Sequence, residues 1–147
     1  MSIQTVLDRL AKIQRTIQGV NRAAGHDDVP NTLRTEYLPC FINLYGPAES
    51  QETFGQAGEV EARTYRMLLF VCSIQRPSDI AKQTNRTVEF LDRVKDAFRD
   101  RQNLDGLTNT IYASAVRDEG QTALEYPTGT YYAGVEFQID VMEVKAS

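Results

Sequence analysis

Histidine occurs once in the 147 residues, cysteine twice and tryptophan not at all. A metal centre built on several histidines is therefore excluded. A zinc site would have to gather Cys40, Cys72 and carboxylates, which no short spacing suggests. No apolar run approaches the roughly 18 residues of a membrane span. No Gly-rich phosphate loop with a following Lys-Ser/Thr is present, and no dinucleotide fingerprint follows any strand. Basic charge is also short: 16 Lys+Arg face 20 Asp+Glu, a net charge of −4. That balance argues against a nucleic-acid binder held by phosphate contacts. The first residues, Met1 to Arg9, lack the charged and apolar regions of a signal peptide. Both cysteines are therefore expected as reduced thiols that behave as small hydrophobes.

What is present is an ordinary globular composition, 41% apolar and 24% charged, at a length that suits one domain over 1–147 with a core of its own. The charge is unevenly distributed. Residues 1–35 and 76–101 each carry +2, whereas 36–75 carry −3 and 102–147 carry −5. The basic segments are the helical ones by periodicity, so a domain with helices and sheet on different faces would be electrically two-sided.

Ile3, Val6, Leu7, Leu10, Ile13, Ile17 and Val20 recur at spacings of three and four, which predicts an amphipathic helix over 3–22 with Ser2 as its cap. The polar run 23–31 ends it. Residues 36–45 alternate as a strand, with Pro39 at its start or on an edge. Residues 46–58 read as a long polar loop. Residues 59–75 give the longest strand pattern, apolar on both faces from Met67 onward. At about 3.3 Å per residue it outruns a body of this mass, so its first half is expected to project, hairpin-paired or bent. Ser78 opens a second helix reaching about Arg101, with Glu89 and Arg93 at i,i+4. Strands follow over 108–117 and about 130–144, separated by a polar loop over 118–129. The expected fold is α+β in the order α-β-β-α-β-β. It has a mostly antiparallel sheet of about four strands, two helices on one face and a long hairpin loop between strands one and two.

Catalytic chemistry is thinly represented. His26 lies in the turn Gly25-His26-Asp27-Asp28 and reads as a solvated loop residue. The carboxylate pairs Asp27/Asp28, Asp118/Glu119 and Glu59/Glu61 could in principle do acid–base work. Adjacent acids in polar segments are more often solvated charge. Asn85-Arg86-Thr87 matches a glycosylation pattern by accident, inside a helix. No catalytic residue, cofactor or metal is expected, and an enzyme or ligand-binding domain is the weaker reading. Loop aromatics are better candidates for contact with partners. Tyr126, Tyr131, Tyr132 and Phe54 qualify, as do the charged residues of the hairpin, Glu49, Glu52, Glu59, Glu61 and Arg63.

The layout resembles the tail terminator (tail completion) proteins of long-tailed bacteriophages. Five features carry the resemblance across nearly the whole chain. The first is an opening amphipathic helix. The second is the strand Glu36-Tyr37-Leu38-Pro39-Cys40-Phe41-Ile42-Asn43-Leu44-Tyr45. A polar loop and the run Tyr65 to Ile74 ending in Arg76-Pro77-Ser78 come next. Then comes a helix, followed by two strands around an acidic Gly-containing loop. The last is the closing strand Tyr131-Tyr132-Ala133-Gly134-Val135-Glu136-Phe137-Gln138-Ile139. The resemblance implies a hexameric ring in the virion tail or neck, assembled in the host cytoplasm. That ring would cap the tail tube, stop its elongation and dock to the head–tail connector or stopper protein. DNA would pass through its lumen without sequence-specific binding, and no membrane is involved. Neck proteins such as head–tail joining or stopper proteins share size and layout, so that neighbouring role is the alternative. An unpaired edge strand or a long hairpin would be a ready means of joining subunits. If the acidic sheet-and-loop side lines the lumen, repulsion would let DNA slide.

Overall fold

The computed structural model describes residues 3–52, 59–107 and 110–145. Helix α1 covers Ile3–Gln14, strands β1, β2 and β3 cover Arg22–Ala24, Cys40–Glu52 and Glu59–Ile74, and helix α2 covers Thr84–Phe98. Strands β4, β5 and β6 cover Thr110–Ala113, Arg117–Glu125 and Tyr131–Lys145. The fold is α+β, as expected, but the sheet has six strands rather than about four, and it is mixed and open. Its order is β1-β2-β3-β6-β4, with β5 beside β4 on the same edge of β6. β1 runs parallel to β2, and every other pairing is antiparallel.

Alternation along the central strands divides the interior in two. Phe41, Met67, Leu69, Val135, Phe137 and Ile139 face the helices, and the buried stripes of α1 (Val6, Leu10, Ile13) and α2 (Phe90, Val94, Phe98) pack on them. Both helices therefore lie on one face of the sheet. The opposite face carries a smaller cluster, Cys40, Ile42, Phe70 and Tyr132, covered by Leu33 and Leu38 from the segment before β2. β3 is apolar on both faces because it is central and buried on both.

Five sequence expectations are corrected. The first helix stops at Gln14, not at residue 22, because Thr16 turns its hydroxyl onto the Ile13 carbonyl (2.6 Å) and Gly19 takes a positive φ of 92°. Ile17 and Val20 still pack on the core after the helix has ended, so the apolar stripe outlasts the helix. Residues 46–52 are strand, not loop. β2 passes a register shift at Gly46-Pro47, where a Cβ on Gly46 would sit 2.9 Å from the Thr64 carbonyl, and it pairs with β3 as far as Glu52. Residues 118–125, also read as loop, belong to β5 (Arg117–Glu125). An irregularity between Asp118 and Gln121, with Gly120 at φ 85°, interrupts the alternation that would have shown it. The expected strand over 108–117 is broken after Ala113, because the Ser114 hydroxyl replaces a ladder partner by accepting from the Asp140 amide (2.9 Å). The second helix begins as a 3-10 turn over Pro77–Gln83, held by the Arg76 amide donating to the Asp79 carboxylate (3.3 Å), and becomes α-helical at Thr84. No described helix is long and apolar enough to cross a membrane.

Candidate assembly surfaces

Two features differ from the rest of the surface, and they sit at opposite ends of β3. The first is an arm. β2, β3 and β6 run on together past Tyr65, and beyond Arg63 and Val141 no described residue of the three belongs to either core cluster. β3 thus stays paired with β2 and β6 beyond the two core clusters, with β4 alongside β6 as far as Glu143 and Val60 still buried there. Arg63 organises its base. Its guanidinium donates to the Gly46 carbonyl (2.7 Å) and to Glu61 (3.0 Å), and it lies 5.7 Å from the centre of the exposed Tyr45 ring. Glu61 stands opposite Glu143 in the β3–β6 register, and Glu52 stands opposite Glu59 between β2 and β3. Burial pushes the Glu143 carboxyl above its ordinary value, and the negative Glu61 adds to the shift. Oε1 of Glu143 is enclosed and has no hydrogen-bond partner among the described residues. Glu49, opposite Ala62, is exposed on the other face of the arm. There it borders a shallow hollow with Thr64, Tyr112 and Asp140.

The second feature is a groove of about 820 Å³ between α2, the end of β3 and the segment entering β2. Its lining mixes apolar residues (Leu38, Pro39, Val71 and Phe90) with polar Thr35 and Ser73, and α2 contributes Arg86, Glu89 and Arg93. The two arginines are seven residues apart, two helical turns, and so share a face. Neither forms an ion pair with a described residue. Arg93 donates to the Gln18 carbonyl (3.3 Å) and lies 5.4 Å from the Phe90 ring centre. The expected Glu89–Arg93 pair is not formed, since Arg93 is drawn to the turn after α1. The other basic residues of α2 are occupied: Lys95 with Asp118 (2.6 Å), and Arg99, just beyond the helix, with Asp96 (2.5 Å).

Two of the candidate aromatics fold onto the second core cluster. Tyr132 is buried, packs edge-on against Phe70 at 5.6 Å and donates its hydroxyl to the Leu33 carbonyl (3.2 Å). Tyr126 packs on the same ring from 6.0 Å and bonds the Pro30 carbonyl. Tyr131 is half-buried at the start of β6, hydrogen-bonded to Glu125. Phe54 lies outside the described residues. Isolated tyrosines beside Gly and Pro have the sequence pattern of loop anchors. The second core cluster claims two of them, because segment 30–39 folds over that face of the sheet. The spacing of Arg86 and Arg93 by seven residues can be read in the sequence, but not that neither meets a carboxylate among the described residues.

Catalytic groups remain sparse among the described residues. Burial raises the Cys40 thiol to about 11, so it is not a thiolate near neutrality. His26 is exposed and held by Asp8: its Nδ1 lies 2.9 Å from both carboxylate oxygens, and its backbone N–H donates to Asp8 at 3.0 Å. This contact raises the His26 pKa. Asp8, His26 and Asp27 together offer three ligand atoms within 4.8 Å, but the Asp8–His26 bonds already satisfy that corner of the cluster. Compared with protein-family models and with curated proteins, the chain matches none.

Proposed function

We propose that this protein is a structural ring subunit of the tail terminator type, capping the tail tube of a long-tailed phage and docking to the head–tail connector. The observation that carries this reading is the paired β2–β3–β6 arm, which continues past both core clusters, has a net negative charge and ends in the register row Glu52, Glu59 and Lys145. The arm and the groove-bearing end are unlike surfaces. A closed ring of identical subunits needs two such unlike surfaces meeting heterologously. The opening helix, the Pro39-led entry into β2 and the closing strand β6 also support the resemblance drawn from the sequence. In this reading the acidic sheet-and-loop surface faces the lumen and repels DNA in transit, and Arg86 and Arg93 face away from it.

Native mass measurement is the direct test. A ring of about six copies is expected. In the virion setting, loss of the protein is expected to give overlong tube polymers. Tails of normal length that fail to attach to heads would instead assign it to head–tail joining. A ring structure with Arg86 and Arg93 lining the lumen would overturn the proposed orientation.

A further inference from the structure

The arm carries a net negative charge even after its own pairings, Arg63 with Glu61 and Lys145 opposite Glu59 in the register. Residues 46–63 and 141–145 hold two basic groups, Arg63 and Lys145, against Glu49, Glu52, Glu59, Glu61 and Glu143. Two of the strand registers set glutamates opposite glutamates, Glu52 with Glu59 and Glu61 with Glu143. Like charges directly opposite one another weaken a ladder, so the arm is stabilised by any cationic surface that covers it.

The groove has the complementary make-up. Arg86 and Arg93 have no carboxylate partner among the described residues, Glu89 offsets only one of the two charges, and apolar Leu38, Pro39, Val71 and Phe90 share the lining with them. The arm is formed by the first residues of β3, and Val71, Cys72 and Ser73 at its other end line the groove. From Ala62 to Val71 the strand spans about 30 Å, so an arm cannot turn back into the groove of its own chain.

We propose that the acidic β2–β3 arm of one copy docks in the arginine-bordered groove of a second copy, giving a head-to-tail contact. This rests on the ring reading, which it deepens by naming the two surfaces that meet. Each subunit then uses one arm and one groove. The chain of contacts closes if the rotation per subunit closes, and otherwise grows as an open filament.

Charge reversal in the full chain tests this. One variant is Glu49→Lys/Glu52→Lys on the arm. The other is Arg86→Glu/Arg93→Glu on the groove, with Arg86→Glu alone, at an exposed position, standing in if the double variant misfolds. Thermal unfolding checks each fold, and native mass spectrometry and sedimentation at low and high salt read association. Each variant alone is expected to weaken association by about tenfold or more. An equimolar mixture is expected to restore it, because lysine arms then meet acidic grooves and native arms meet native grooves. A wild-type ring that both variants also form would overturn the docking and leave the ring reading intact. Wild-type dimers or open chains, dispersed by each variant and restored by the mixture, would support the docking and overturn the ring. A wild-type protein that stays monomeric at high concentration would overturn both.

Discussion

Buried amides fix how α1 sits on the sheet. Gln14 and Asn43 are both buried and exchange two hydrogen bonds, Gln14 Nε2 to Asn43 Oδ1 at 2.6 Å and Asn43 Nδ2 to Gln14 Oε1 at 2.8 Å. Asn43 also donates to the Ala24 carbonyl (3.0 Å), which ties β1 to the same point. Asn43→Ala leaves the Gln14 amide buried and unpaired and is expected to cost about 1–3 kcal/mol in urea unfolding. Replacing both by leucine should cost less than that single change. Phe137 is fully buried at the centre of the helix-side core, 6.3 Å from the Phe41 ring, so Phe137→Ala is expected to cost about 3–5 kcal/mol. Gly134 has no room for a methyl group: a Cβ there would collide with the Leu69 carbonyl on β3 and with Leu124. Gly134→Ala should therefore destabilise by about 1–3 kcal/mol although it adds a single carbon.

At the scale of elements, charge pairs join segments far apart in sequence. Arg66 on β3 holds Glu136 on β6 at 2.7 Å, Lys95 on α2 holds Asp118 on β5 at 2.6 Å, and Arg117 on β5 holds Asp140 on β6 at 2.8 Å. The bond to Arg66 lowers the Glu136 pKa, and the bond to Lys95 lowers that of Asp118. Such groups add stability above their ordinary pKa and lose it as pH falls through the lowered value. Glu143 has the opposite sign. Its carboxyl is pushed up, so its contribution falls as pH rises from the ordinary glutamate range through the raised value. Glu143→Gln is expected to raise the melting temperature at neutral pH, with the gain vanishing below the ordinary glutamate pKa. A gain that does not vary with pH would contradict this. His26, raised by Asp8, stabilises fully below the ordinary histidine pKa and loses that contribution as pH rises through its own value. In an NMR titration its midpoint should lie above that of free histidine and return toward it in Asp8→Asn.

At the scale of the molecule, body and arm are separable. Both core clusters lie in the body, so deleting residues 48–57 is expected to leave a cooperatively unfolding monomer that no longer assembles. Loss of cooperative unfolding in that deletion would contradict the separation. The two-sided charge read from the sequence is partly cancelled in three dimensions, because Lys95 on a basic helix neutralises Asp118 on the acidic sheet. What survives is local: the acidic arm at one end of β3 and the arginine-bordered groove at the other.

The sequence by itself determined the α+β class, the two amphipathic helices, the central β3 and the alternating β6. Periodicity is a local property, and burial on one or both faces writes it directly into the order of residues. Tertiary structure alone decided where elements stopped and which polar segments became strands. Ile17 and Val20 keep a helical spacing after the helix has ended, because they pack from a turn. Residues 46–52 and 118–125 look like loops, because Gly46, Pro47 and Gly120 sit at irregularities that partner strands stabilise from outside the segment. The same holds for the candidate surfaces. The glutamates of the hairpin could be named from their order. That Tyr132 is inside, that Arg86 and Arg93 meet no carboxylate among the described residues, and that arm and groove lie at opposite ends of one strand depend on contacts between residues distant in the chain.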